Sequence, residues 1–160
     1  GVPKDIYGQL IEECHRAGRR VCLDASGELL REGLKAKPHV VKPNKKELEY
    51  LAGRPIQGYQ NLAAEAKKIV EGGIGKVILS LGTDGLMYVD SQQVLYEPAR
   101  KVEAVNTVGC GDTVVASLCM SELGGEEPDV LLKKASAMAA ANALTRENGR
   151  ILVERYLDLL

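Results

Sequence analysis

Apolar positions change their period several times along the chain, and each change predicts an element. In residues 4–18, Ile6, Leu10, Ile11 and Cys14 recur at helical spacing and Gly18 stops the run, which predicts an amphipathic helix. Residues 20–24 (RVCLD) form a short apolar run ending in an acid, the pattern of a buried strand. A short helix is predicted around residues 28–34, and a strand over 39–42 (HVVK) ends at Pro43-Asn44. Helices follow over 45–52 and 61–71, the second closed by Gly72-Gly73. Residues 76–81 (KVILSL) are the clearest buried strand. Gly82-Thr83-Asp84-Gly85 then turns the chain into a strand over 86–89, and Asp90-Ser91 turns it again into 94–96. Beyond Asp112 the pattern is helical over 113–123, 130–144 and, more weakly, 153–159. Strand and helix alternate as far as Leu81. The expected fold is therefore α/β, a mostly parallel sheet flanked by helices, with an antiparallel edge near residues 76–96. Neither an internal repeat nor a low-complexity linker interrupts it.

Composition narrows the picture. A length of 160 residues fits one domain able to bury a core. With six Tyr and no Phe or Trp, that core must be aliphatic. A formal net charge of -1 with no block of like charge argues against a nucleic-acid partner. No apolar run is long enough for a membrane span, and no signal peptide is visible. The four cysteines form no CxxC pair and only two histidines accompany them, so zinc is disfavoured and reduced thiols in a cytoplasmic protein are expected. The chain starts at Gly1 rather than Met and runs straight into a helical pattern, as a processed product or part of something longer would.

Three stretches carry candidate chemistry. In Asn106-Thr107-Val108-Gly109-Cys110-Gly111-Asp112, two glycines alternate with small residues before an acid at the start of an apolar helix. Glycines let backbone N–H groups approach an anion, and a helix N-terminus adds free donors and a positive dipole end. Asp112 at the mouth of such a hole can accept a proton from an attacking hydroxyl; its plainer reading is a helix N-cap. In Lys42-Pro43-Asn44-Lys45-Lys46-Glu47, an amide and a carboxylate lie three apart after a strand. They can hold a hydrated Mg²⁺, or form a capping box. In Ser80-Leu81-Gly82-Thr83-Asp84-Gly85, a hydroxyl and a close backbone at a strand end can contact a nucleotide, or simply make a glycine turn.

Together, in this order and spacing, the stretches resemble the PfkB carbohydrate kinases. Residues 105–112 (VNTVGCGD) are similar to that family's (D/S/N)TxGAGD signature, Lys42-Pro43-Asn44-x-x-Glu47 to its KPNxxE motif, and Ser80-Leu81-Gly82-x-x-Gly85 to its SLGxxG strand and turn. Val2-Pro3, the KPN form and Leu23-Asp24-Ala25-Ser26-Gly27 look most like the branch phosphorylating ketohexose phosphates, which holds 1-phosphofructokinase and tagatose-6-phosphate kinase. The resemblance implies a partial ribokinase-like three-layer sandwich, with residues 1–160 as the C-terminal nucleotide-binding part and the sugar-binding part and lid outside this chain. It implies transfer of the ATP γ-phosphoryl group to a hydroxyl of a ketohexose phosphate, with Asp112 as base and the amides of Gly109 and Gly111 as the anion hole. Asn44 and Glu47 would organise Mg²⁺; Lys42, Ser80, Gly82 and Thr107 would line the ATP channel; Asn142 would lie near the adenine. It also implies a homodimer for the full-length protein. Cys110 stands where Ala is usual, and Asn106 where Asp or Ser is common. The rival expectations are an ATP-binding half-domain without chemistry and a Rossmann-type oxidoreductase. The latter is disfavoured because its glycine fingerprint belongs in the first βα turn.

Overall fold

Parallel β-structure in this chain is built from short strands held in register by the helices between them. The structure is a computed structural model and describes residues 1–160. In chain order its elements are α1 (Ile6–Arg16), β1 (Cys22–Leu23), α2 (Gly27–Lys35), β2 (Val40–Val41), α3 (Lys45–Ala52), α4 (Tyr59–Glu71), β3 (Lys76–Ser80), a 3₁₀ turn (Gly82–Asp84), β4 (Leu86–Val89), β5 (Val94–Glu97), α5 (Cys110–Gly124), α6 (Pro128–Ala143) and α7 (Val153–Leu159). The sheet runs β1-β2-β3-β4-β5. The first three strands are parallel, with Cys22 opposite Val40 and Val40 opposite Lys76. The loops 81–85 and 90–93 are too short for a crossover, so β4 and β5 return antiparallel. The mixed sheet with an antiparallel edge is as the sequence led us to expect.

The chain divides into two compact units, Gly1–Ser80 with Met87–Val94, and Leu81–Leu86 with Leu95–Leu160. In the first, α1 packs on α2, α2 on α3, α3 on α4, and α4 on β3. The central strands are apolar without alternation: Val77, Ile78 and Leu79 of β3 are all buried, as in a strand covered on both faces. Ile11, Leu30, Leu48, Leu62 and Ala66 supply the helix side of that core. In the second unit, α5 packs on α6 and α6 on α7. The face of α6 toward the core is built from Ala135, Ala137, Ala140, Ala141 and Ala143. Such short side chains let a neighbouring helix axis come close. No helix is long and apolar enough to cross a membrane.

Several expectations shift. Leu10, assigned to the apolar face of the first helix, is 52% exposed, and Ile11 alone of that set is buried. The core is aliphatic but for Tyr88, which is buried while its hydroxyl donates to Asp90 Oδ2 at 2.8 Å, so its polar atom is satisfied. Strand β3 ends at Ser80, because Leu81 already belongs to the turn and its N–H donates to the Gly85 carbonyl. Helix α5 starts at Cys110, three residues ahead of its predicted start at 113.

Candidate active site

In the first unit the residues of interest sit at the C-terminal ends of the parallel strands, where open α/β sheets bind ligands. Lys42 follows β2 and is buried, only 5% exposed. Its Nζ lies 3.3 Å from Asp24 Oδ1, just past β1. A buried ammonium needs a counter-charge, and Asp24 supplies it. One partner leaves further donor capacity on Nζ. Two residues on, Asn44 begins α3 with a complete capping box: Glu47 N donates to Asn44 Oδ1 at 3.0 Å and Asn44 N to Glu47 Oε2 at 2.8 Å. A backbone bridge pairs Asn44 with Ser80, whose N–H donates to the Pro43 carbonyl at 2.9 Å. The fold thus brings Asn44, Glu47 and Ser80 together although the sequence separates them.

The second unit builds the glycine loop. Gly109 is the N-cap of α5 at φ 89°, and a Cβ there would lie 2.6 Å from the Gly149 nitrogen. Only glycine meets both demands. Cys110, Gly111 and Asp112 are the first three helical residues. The N–H of Cys110 donates to the Thr107 carbonyl, whereas the amides of Gly109, Gly111 and Asp112 have no protein acceptor. These are the free donors of a helix N-terminus, with the positive end of its dipole behind them. The Asp112 side chain is exposed and makes no hydrogen bond. It is therefore not the N-cap: Gly109 holds that position, and the plainer of the two readings of Asp112 falls.

The loop is held from below by residues 142–150. Asn142 is fully buried; its Nδ2 donates to the Val108 carbonyl at 3.0 Å and contacts Cys110 Sγ at 3.2 Å, and its Oδ1 accepts from Gly149 N at 2.8 Å. Asn106 accepts from Val108 N at 3.0 Å and donates to the Arg146 carbonyl and to Asn148 Oδ1. Thr145 Oγ1 sits among the carbonyls of Asn142, Glu147 and Arg150. The sequence put Asn142 near the adenine; in the structure its amide is engaged by the protein and holds the glycine loop. Thr107 and Gly82 are exposed, the latter at φ 64° in the 3₁₀ turn. Gly85 of the same turn is more constrained, since a Cβ there would lie 2.1 Å from the Glu97 carbonyl oxygen.

The residues fit the groups the sequence pointed to. Three free amides at a helix start suit a phosphate, and an unpartnered carboxylate beside them suits proton transfer. The capping box engages only one Glu47 oxygen, so Oε1 stays available. One such ligand suits a magnesium ion that keeps most of its waters. Asp24 and the 145–149 clasp went unassigned in the sequence. An acid closing the strand run was the available signal for Asp24; nothing local marks the clasp.

Comparison with known proteins bears on the family and the fold. The sequence model described as "pfkB family carbohydrate kinase" matches residues 1–153. A 1-phosphofructokinase of Haemophilus influenzae is 38% identical over 141 residues, covering 88% of this chain and 45% of the relative. A 1-phosphofructokinase of Vibrio cholerae is 33% identical over 130 residues, covering 81% and 41%. This chain thus spans under half the length of these curated relatives. Among solved structures, phosphofructokinase-2 from Escherichia coli in complex with potassium superposes with a TM-score of 0.93 at 27% identity, over 99% of this chain and 52% of that one. Matched across nearly its whole length, and carrying the glycine loop, the KPN turn and the fold in the expected order, the chain belongs to the pfkB family of carbohydrate kinases.

Proposed function

We propose that this chain is the nucleotide-binding, base-bearing part of an ATP-dependent kinase that phosphorylates a ketohexose phosphate in the cytoplasm. The observation that carries the reading is Asp112: an exposed carboxylate with no protein partner, on the first turn of α5 among three unengaged amides. In the proposed reaction Asp112 takes the proton of the acceptor hydroxyl. That oxygen bonds to the γ-phosphorus as the bond to the β–γ bridging oxygen breaks, and ADP leaves. The amides of Gly109 and Gly111 hold the charge on the transferring group. Lys42, Ser80, Gly82 and Thr107 contact the ATP. Asn44 and Glu47 would hold Mg²⁺, which when bound would neutralise phosphate charge. The names of the two bacterial relatives favour fructose 1-phosphate as acceptor over tagatose 6-phosphate. A half-domain that binds ATP without chemistry is the second reading, and the partial length of its relatives that this chain spans supports it.

The test is Asp112→Asn in the enzyme that carries this chain. Because the side chain makes no hydrogen bond, the exchange should leave the unfolding midpoint nearly unchanged, with at most about 1 kcal/mol of helix-dipole energy at stake. Loss of a general base should lower kcat by about 10²–10⁴-fold with either sugar phosphate. Near-native kcat would make Asp112 structural and send the proton elsewhere.

A further inference from the structure

The opposite ends of the same parallel strands carry a different chemistry. An open cavity of about 570 Å³ lies where β1, β2 and β3 begin, lined by Arg19, Arg20, Lys37, Lys76, His15 and His39 together with glycines and a proline, and by no carboxylate. Its volume is in the range of small-molecule sites, about 300–1,000 Å³. The basic residues come from the end of α1, from the α1–β1 and α2–β2 connections and from the first residue of β3, so the fold gathers them from separate parts of the sequence. In a chain of net charge -1, composition does not explain such a concentration.

Helix dipoles explain part of it, since cations favour helix C-termini. The last turns of α1 and α2, however, already hold Arg16 and Lys35, and each of those is paired with a carboxylate on its own helix. Arg19 and Lys37 have no such partner. Lys37 is also the chain's single non-glycine residue at positive φ, 54°. That conformation is costly for a residue with a side chain, and the position after a helix C-cap ordinarily takes glycine. A lysine kept there in spite of the backbone points to its ammonium as the useful part. Its side chain lies against Gly73, where a Cβ would come within 3.2 to 3.3 Å of its Cδ, Cε and Nζ. His39 is oriented as well: Val21 N donates to its Nδ1 at 3.1 Å, which leaves the proton on Nε2, and the His15 ring packs edge-on at 5.0 Å.

We propose that this cavity binds a small metabolite carrying at least two phosphate charges, as a site separate from the one at the other strand ends. His39 and Lys42 flank β2 three residues apart, roughly 10 Å at about 3.3 Å per residue. One phosphate group cannot serve both. The site stands independently of any role for Asp112.

Pyrophosphate is the first probe, followed by amide NMR on the chain at about 0.15 M ionic strength. Saturable shifts at residues 19–20, 37–39 and 73–76 are expected. Lys37→Gly removes the cation while relieving the backbone, so it should fold at least as well as the parent and bind about tenfold more weakly. Arg19→Gln should weaken binding similarly. ADP and fructose 1,6-bisphosphate form the next arms: saturation at the same amides by either supports the site and shows which carrier brings the phosphates. Shifts that track ionic strength without saturating, that saturate only at residues 108–112, or that survive both variants would overturn the proposal.

Discussion

Asn142 has no freedom left in its amide, and that makes it the most demanding single residue near the glycine loop. Both Nδ2 contacts and the Oδ1 bond run to residues 108–110 and 149, with the side chain wholly buried. Asn142→Asp is isosteric but sets an acceptor against the Val108 carbonyl and buries a carboxylate. Asn142→Ala strands one carbonyl and one N–H. A buried polar group without a partner costs about 1–3 kcal/mol, and about 1 kcal/mol moves the midpoint of a chain this size by roughly 2–4 °C. Thermal unfolding should therefore show Tm falling by roughly 5–10 °C for both variants, with Asn142→Asp at least as damaging as Asn142→Ala. An Asp variant as stable as the parent would mean that Nδ2 is not the atom facing the Val108 carbonyl. At this scale the sequence showed what it could. The place of Asp112 at the start of a helix was legible because its glycines precede it directly. The work of Asn142 was not, because its partner Val108 is 34 residues away and no short-range pattern joins them.

The capping box of α3 is where two readings of one element remain compatible. Asn44 and Glu47 cap the helix, which settles why an amide and a carboxylate stand three apart, and the free Glu47 oxygen keeps the magnesium proposal open. Glu47→Gln separates the two. Glutamine serves at this position of a capping box, so the unfolding midpoint should stay near that of the parent. The Mg²⁺ concentration needed for half-maximal activity should rise, and an unchanged requirement would leave Glu47 a cap only. Helix α4 carries a pH-dependent link. The Lys68 hydrogen bond, with the charges of Lys68 and Arg54, holds the buried Glu65 carboxyl below its ordinary value of 4.5 against the burial that would raise it. A lowered carboxyl adds stability that is present above its unfolded value and lost as pH falls through the folded one. Urea midpoints taken from about pH 6 to about pH 3 should fall more steeply for the parent than for Glu65→Gln. Parallel curves would show that the pair adds nothing. Among elements, α3 was predicted to the residue, since its Asn cap and closing Gly53 in the left-handed region are both local signals. The start of α5 was missed because its cap is Gly109, and glycine and cysteine in a first turn do not announce a helix.

At the scale of the whole chain, the fold class was legible because each apolar run has one period and the turns between runs, except that at residues 90–93, carry glycine or proline; the short lengths of β1 and β2 were not, since strand ends depend on the neighbours a strand finds. The chain also spans under half of its curated relatives, which sharpens the proposal about what each part of the enzyme binds. On the proposed reading these 160 residues hold ATP-Mg²⁺, and the sugar phosphate is held by residues outside them. Calorimetry on the chain by itself should then give saturable heat with ATP-Mg²⁺ and none with fructose 1-phosphate or tagatose 6-phosphate. Lys42→Met keeps the length of the stem but removes the ammonium and leaves Asp24 without its partner. It should weaken ATP binding, because a charge-assisted bond to phosphate contributes about 1.5–3 kcal/mol, roughly tenfold or more in Kd. Circular dichroism on the same sample checks that the variant still folds. Absence of ATP heat from a folded parent chain would remove the nucleotide-binding assignment itself, while saturable heat from a sugar phosphate alone would move the acceptor site into this chain and undo the proposed division.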